Sequence, residues 1–257
     1  MAKSFIYDSS GTYNATLDDG VVSGITNGST YTGSGTNITN ELYANDQNIS
    51  NAVTDFDNLD CIQLDYSSDV TIDTVALYFS AESSNSVVVA PEGTTPATTI
   101  GTPLTTDSSL AINWNITSDL SATSRYYYII ASGGAVANLS EVILGKTLTF
   151  PHNPNLSGKE SKVFGVDVVE SYGGLEYANK RHDGKRLWDM SFSNLNTTDK
   201  TNFEAMRDAI STNFLKFIYY DDNNNYYWVR ALPGSFEFTE VAYQSYNMNV
   251  KIIEQLA

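Results

Sequence analysis

Arg186-Leu187-Trp188-Asp189-Met190-Ser191-Phe192 places apolar side chains at every second position, the spacing of a strand with one face in a core. A short helix should follow: Thr197 or Thr198 can cap it, Asp199 favours its first turn, and the pattern runs to about Ser211. Phe203, Met206 and Ile210 fall on one face of that helix, a single buried stripe. Next comes Lys216-Phe217-Ile218-Tyr219-Tyr220, the turn-forming run Asp221-Asp222-Asn223-Asn224-Asn225, then Tyr226-Tyr227-Trp228-Val229-Arg230, which together predict a hairpin. Alternating stretches at 236–243 and 246–254 predict a final strand pair. Strand, helix, hairpin and strand pair in this order define a β domain with one short helix.

Upstream, two strands at 162–172 and 175–180 are joined by Gly173-Gly174, and a second turn at His182-Asp183-Gly184 leads into 185–194. Pro151-His152-Asn153-Pro154-Asn155 reads as a linker, because two prolines three apart fix φ and block a helix or central strand. Before it, strands are expected at 60–66, 70–79, 86–90, 110–116, 125–131 and 139–144. Pro91-Glu92-Gly93 and Ser132-Gly133-Gly134 are among the turns between them. Short strands at roughly ten-residue spacing without helices argue for a β-sandwich. Residues 1–36 are rich in Gly, Ser, Thr and Asn and read as an irregular arm or very short strands. The expected domains are thus an arm at 1–36, a sandwich at 37–146 and a second β domain at 147–257.

The composition fits a folded protein of 257 residues, with 41% hydrophobic and 12% aromatic content. Its net charge of −16 is uneven: residues 1–146 hold 3 Lys/Arg against 16 Asp/Glu, and residues 147–257 hold 11 against 14. Such an acidic surface repels a phosphate backbone, which argues against nucleic-acid binding. Cys61 is the only cysteine, so no intrachain disulfide forms, and its apolar strand pattern suggests a small buried side chain. Neither a signal-peptide h-region nor a membrane-length apolar run is present, so the expectation is synthesis in a cytoplasm without export by a signal peptide or membrane insertion.

No catalytic pattern stands out, and the chain is expected not to be an enzyme. His152 and His182 lie in no metal-ligand spacing, and no phosphate-cradling loop or nucleophile elbow occurs. Asp55-Phe56-Asp57-Asn58-Leu59-Asp60 offers three carboxylates in six residues, so a structural calcium on Asp55, Asp57 and Asp60 is one reading. The loop departs from the EF-hand pattern at Leu59, Asp60 and Tyr66, and a solvated acidic turn without any cofactor is the preferred one. Two further groups suggest subunit contacts. Tyr219, Tyr220, Tyr226, Tyr227 and Trp228 form cross-strand aromatic pairs that stabilise the hairpin, and alternation lets one face be core while the other is a subunit contact. Arg181 and Lys185, with Lys180 and Arg186, flank the 182–184 turn, as a solvated turn or as a basic knob docking on an acidic neighbour such as residues 55–73 of an adjacent subunit.

The strand at 185–192, the helix at 198–211, the hairpin at 217–229 and the terminal strand ending at Glu254 together resemble the assembly domain of bacteriophage distal tail and minor tail proteins. Distal tail proteins place that domain first, whereas here it comes second. A second resemblance covers about a hundred residues. Ala52-Val53-Thr54-Asp55-Phe56 with Ile62-Gln63-Leu64-Asp65-Tyr66 and Val70–Tyr78 is similar to discoidin-type, galactose-binding-like jelly rolls. So are Thr123-Ser124-Arg125-Tyr126-Tyr127-Tyr128-Ile129-Ile130 and Leu139-Ser140-Glu141-Val142-Ile143-Leu144-Gly145. The fold implied is mainly β: a jelly-roll-like sandwich followed by a sandwich or barrel domain with one short α-helix. The function implied is a structural virion protein of the tail, a cyclic hexamer or trimer that contacts other tail proteins and displays the sandwich. The alternative is a glycan-binding adhesin gripping host polysaccharide, with exposed aromatics such as Tyr31 or Tyr43 stacking on sugars.

Overall fold

The computed structural model describes residues 3–9, 16–18, 25–26, 32–33, 49–50, 52–53, 61–82, 85–91, 104–107, 113–132, 134, 136, 138–155, 159–170, 172, 176–211, 216–221, 223 and 225–255. In chain order the elements are β1 Ser4–Tyr7, β2 Thr16–Asp18, β3 Ile25–Thr26, β4 Thr32–Gly33, β5 Cys61–Ile72, β6 Thr74–Phe79, β7 Ser86–Pro91, β8 Thr105–Asp107 and β9 Asn113–Thr117. They continue with β10 Ala122–Ser132, β11 Leu139–Thr149, β12 Lys159–Glu170, β13 Glu176–Leu195, α1 Thr197–Ser211, β14 Phe217–Tyr220, β15 Tyr226–Ala231, β16 Glu237–Ala242 and β17 Ser245–Glu254. The fold is mainly β, with antiparallel sheets forming a sandwich. By contacts the chain divides into two compact units. The N-terminal unit comprises Ile6–Thr147 with Ala209–Leu215, and the C-terminal unit comprises Met1–Phe5, Leu148–Asp208 and Lys216–Leu256.

In the N-terminal unit, one sheet runs β2-β5-β10-β7-β8 and a second carries β11-β6-β9. Alternation sends Ile62, Leu64 and Tyr66 of β5, Val87 and Val89 of β7, and Tyr127 and Ile129 of β10 into one core. Val75, Leu77 and Phe79 of β6 join Val142 and Leu144 of β11 in the same core. The Tyr127 hydroxyl points at the Val70 carbonyl at 2.8 Å and the Ala122 carbonyl at 3.2 Å, so its polar end is satisfied where its ring is buried.

Strand boundaries here differ from the sequence expectation. β5 continues through Ser67-Ser68-Asp69, because β10 absorbs them in an irregularity: Ser124 pairs Val70 and Tyr126 pairs Asp65. The break falls at Asp73 instead. Its Oδ1 accepts from the Thr74 hydroxyl at 2.7 Å and the Thr147 N–H at 2.8 Å, while its own N–H donates to the Gly145 carbonyl at 2.9 Å. Those bonds replace ladder pairing and turn the chain from β5 into β6. The strand expected at 110–116 is β9, Asn113–Thr117, and β8 was not anticipated.

In the C-terminal unit the sheet order is β12-β13-β17-β15-β14-β1, with β16 also paired to β17. The helix is capped at Asn196, just before the two expected threonines. Asn196 Oδ1 accepts from the Asp199 N–H at 2.9 Å, and Asp199 Oδ2 accepts from the Asn196 N–H at 3.1 Å, a reciprocal cap. Phe203, Met206 and Ile210 are buried, as the stripe requires. The expected turn at 182–184 does not reverse the chain: β13 runs unbroken for 20 residues. Two register shifts opposite Val163–Val166 let β13 carry extra residues as bulges, so Asp183 and Gly184 kink a continuous strand.

Two tests follow from the N-terminal unit. At Gly145 an added Cβ would land on the Tyr7 carbonyl oxygen and 2.7 Å from the Tyr7 carbonyl carbon. Gly145→Ala should therefore destabilise by about 1–3 kcal/mol through backbone displacement, where an unobstructed Gly→Ala would stabilise by ~0.4–1 kcal/mol; urea unfolding gives the sign. Burial pushes the phenols of Tyr7 and Tyr127 up to about 12, with Asp73 adding to Tyr7. A raised folded value means that their contribution is complete below the unfolded value of about 10 and lost as pH rises toward the folded one. Tyrosinate absorbance and unfolding should rise together in that alkaline window.

Candidate assembly surface of the C-terminal unit

β13 is twice as long as its partner β17: it pairs with β17 from Leu187 to Leu195, but with β12 from Glu176 to Asp189. Among the described residues, β13 pairs from Glu176 to Arg186 with β12 alone, and β12 ends the sheet order. The result is a two-stranded ribbon that outruns the sheet. It carries Val163, Phe164 (63% exposed), Tyr177 (61% exposed) and, beyond β12, the exposed Tyr172. Phe164 sits over Gly184, where an added Cβ would come within 2.7 Å of its ring, so the bulge glycine makes room for an aromatic that is still mostly in water.

A second hairpin, β16–β17, shows the same property on a smaller scale. Among the described residues β16 pairs only with β17, and Val241 (52% exposed) and Tyr243 (87% exposed) stand at its end. Among the described residues, the exposed large hydrophobics are Val163, Phe164, Tyr172, Tyr177, Val241 and Tyr243, and all six belong to these two hairpins. Scattered exposed apolar residues are ordinary, but confinement to two edges is a patch.

The aromatic hairpin takes the core alternative over most of its length. Tyr219, Tyr220 and Trp228 are buried inside the unit, so they form no exposed contact face; Tyr226 and Tyr227 are half-buried. Tyr219 packs on Trp188 with ring centroids 5.3 Å apart, and Tyr220 on Tyr226 at 4.8 Å. Burial follows from position, since β14 and β15 lie inside the sheet rather than at its edge.

The basic group is split. Arg186 is used within the unit: its Nη1 donates to the Tyr227 hydroxyl at 2.8 Å, its guanidinium lies 4.9 Å from that ring, and its N–H donates to Glu254 Oε2 at 3.0 Å. Lys180 is ion-paired with Asp183. Lys185 is half-buried opposite Val163, and Lys162 is exposed beside it. Arg181 lies in the ribbon backbone of β13, one of the bulge positions. The expected knob at a turn is thus the root of an extended ribbon.

Asp55, Asp57, Asp60, Tyr31 and Tyr43 lie outside the described residues, so the calcium and sugar-stacking readings have no geometry here. Among the described residues no group of three His, Cys, Asp or Glu could hold a metal ion, and no helix is long and apolar enough to cross a membrane. His152 ties the expected linker to β13: Nδ1 is 2.9 Å from the Asn153 carbonyl and Nε2 is 2.9 Å from the Ser193 carbonyl.

Sequence reading missed Val163, Phe164, Tyr172, Tyr177, Val241 and Tyr243 as an exposed set. The signal lay in length. Once 182–184 is read as a strand interior, β13 exceeds the ten residues of β17, and its excess must stand outside the sheet.

No protein-family model matches the chain, and no curated protein matches it. Solved structures with some likeness include chitosan-binding module 2, in complex with chitotriose, from a chitosanase/glucanase of Paenibacillus sp. It is 14% identical, with 41% of this chain and 85% of that one covered, at a TM-score of 0.35. The CBM32 module of AlyQ, in complex with 4,5-unsaturated mannuronic acid, is 15% identical over 46% of this chain and 92% of its own, at 0.33. A fucolectin from striped bass (Morone saxatilis) serum is 13% identical over 93% of each chain, at 0.36. These are β-rich carbohydrate-binding proteins, and likeness at this level fixes neither ligand nor activity.

The hairpin tip offers a pH test. Burial raises the Asp221 carboxyl, but hydrogen bonds from the Asn225 side chain and N–H, the Asn223 N–H and the Tyr227 hydroxyl outweigh it, and the net shift is downward. A depressed folded value contributes stability above the ordinary carboxylate range, lost as pH falls through the folded value. Asp221→Asn should therefore be less stable than the parent at neutral pH and converge with it below about pH 4, read from urea midpoints across pH.

Proposed function

We propose that the chain is a structural subunit that assembles with copies of itself through its C-terminal unit. On the resemblance set out above, the assembly is a part of a phage tail, of distal-tail or minor-tail type, located in the virion and in contact with other tail proteins. One observation carries the assembly reading: the β12–β13 ribbon leaves the sheet with Phe164, Tyr177 and Tyr172 in water. An isolated two-stranded ribbon is marginal in water, and aromatic side chains on it gain only when another surface covers them. A ribbon of this kind is a means of attachment. The sandwich of the N-terminal unit would then be carried as a displayed module.

Glycan binding by the sandwich is the competing reading, in keeping with the carbohydrate-binding proteins named above. The two differ in solution behaviour. The assembly reading expects a discrete oligomer by light scattering at micromolar concentration, reduced in mass when Phe164→Ser and Tyr177→Ser are combined while circular dichroism stays unchanged. A protein that remains monomeric at every concentration and binds an immobilised polysaccharide would overturn the reading in favour of the glycan one.

A further inference from the structure

We infer that His152 is a proton-operated clasp: its charged form fastens the segment 151–155 to β13, and loss of the proton releases one of its two contacts. The clasp is independent of whether the chain self-assembles. Both ring nitrogens face backbone carbonyls, Nδ1 at 2.9 Å from that of Asn153 and Nε2 at 2.9 Å from that of Ser193. A carbonyl oxygen only accepts, so each contact needs an N–H on the ring. A neutral imidazole carries one N–H and one bare nitrogen, whereas the imidazolium carries two N–H groups. In the neutral ring a bare nitrogen would face a carbonyl oxygen, two lone pairs with no proton between them. The arrangement is complete only when the ring is charged.

The two contacts differ in what they hold. Asn153 is the next residue, so the Nδ1 contact is local, whereas the Nε2 contact reaches across to β13. The segment is also fastened at both ends. The Phe150 N–H donates to the Lys3 carbonyl at 2.9 Å, and Asn155 donates from its N–H to the Ser191 carbonyl and from Nδ2 to Ser193 Oγ, each at 2.8 Å. Release is therefore confined to the residues between those anchors. The ring is exposed and lies 5.9 Å from the buried ring of Phe192, so it meets solvent protons without any opening of the core. Neither 151–155 nor 191–194 carries another charged residue. On the neighbouring elements Asp199 accepts from the Asn196 N–H, Lys200 pairs with Glu204, Arg207 with Asp208 and Lys251 with Asp189, while Lys3 stands before β1. Carboxylates and ammoniums ordinarily keep their charge between about pH 5 and 8, and histidine is the side chain that changes there. The second contact is thus present in acid and lost as pH rises and the proton leaves.

Nuclear magnetic resonance of the full chain tests this. At about pH 5 both ring N–H protons of His152 should be protected from exchange with water and visible as two resonances; at about pH 8 no more than one should remain. The Asn155 amide, corrected for its intrinsic rate, should exchange about tenfold more slowly at the lower pH, the effect of one hydrogen bond from a charged donor. His152→Phe keeps a ring beside Phe192 and should remove this pH dependence. His182→Asn, at the other histidine of the chain, should leave it intact. Ring N–H protons unprotected in acid, equal Asn155 protection at both pH values, or the same change in His152→Phe would each show that the clasp does not exist.

Discussion

The C-terminal unit depends on an aromatic knot around Phe150. Its ring meets Phe5 at 4.7 Å and Phe192 at 5.1 Å, both edge-on, and its N–H donates to the Lys3 carbonyl at 2.9 Å. Phe5 in turn meets Phe217 at 5.2 Å, and Phe192 meets Phe203 of the helix at 5.4 Å. One set of rings thus joins β1, the end of β11, β13, β14 and α1, elements drawn from the start, middle and end of the chain. Edge-to-face pairs add roughly 0.5–1.5 kcal/mol each beyond their burial. The larger effect is geometric, because rings in edge contact allow little sliding and so fix how the helix and strands meet.

That knot tolerates strain at its rim. Phe236 has φ of +61°, a left-handed conformation costing about 1–2 kcal/mol for a residue with a side chain. It is nonetheless fully buried, with its N–H bonded to the Asn249 carbonyl at 2.9 Å and its ring 6.3 Å from Phe5. Burying a phenylalanine returns roughly 1.5–3 kcal/mol, enough to offset the backbone cost. A glycine would relieve the φ and lose the ring. The turn therefore stays where the sequence puts an aromatic, and β16 starts at the next residue.

What could be read from the sequence was what depends on local period and turn chemistry. The helix, the β14–β15 hairpin and the terminal strand pair each combine alternation or a buried stripe with an unambiguous stop, and their bounds fall within a few residues of expectation. The readings that went astray did so where turn-formers did not turn. Ser67-Ser68-Asp69 and Asp183-Gly184 have turn composition, yet partner strands absorb them as irregularities in β5 and β13. Whether an Asp-Gly pair reverses a chain or bulges within it depends on whether a long strand lies alongside, and here β12 pairs across the whole stretch from Glu176 to Asp189. The aromatic hairpin shows the complementary case: its pairing was legible, but whether its faces were covered depended on β14 and β15 being interior strands, a property of sheet order. For the same reason the exposed residues were missed, since edge and interior strands share one alternation pattern.

The bulges also bear on why an exposed edge can exist at all. A long, flat, apolar edge would pair indiscriminately with any strand. The ribbon is neither flat nor uniformly apolar: two register shifts raise its local twist, and Lys162, Lys180 and Asp183 place charge among its aromatics. Phe164 lies across Gly184 at the bulge, where the missing side chain leaves room for its ring. Such an arm resists casual pairing, and on the assembly reading proposed above it would present a positioned aromatic to its partner. Prior order matters because a side chain already fixed loses less entropy on docking, about 0.5–1.5 kcal/mol for each mobile group. Bulge, glycine and flanking charge thus act together: the features that hide this segment from a reading of turns are those that let it stand outside its own sheet.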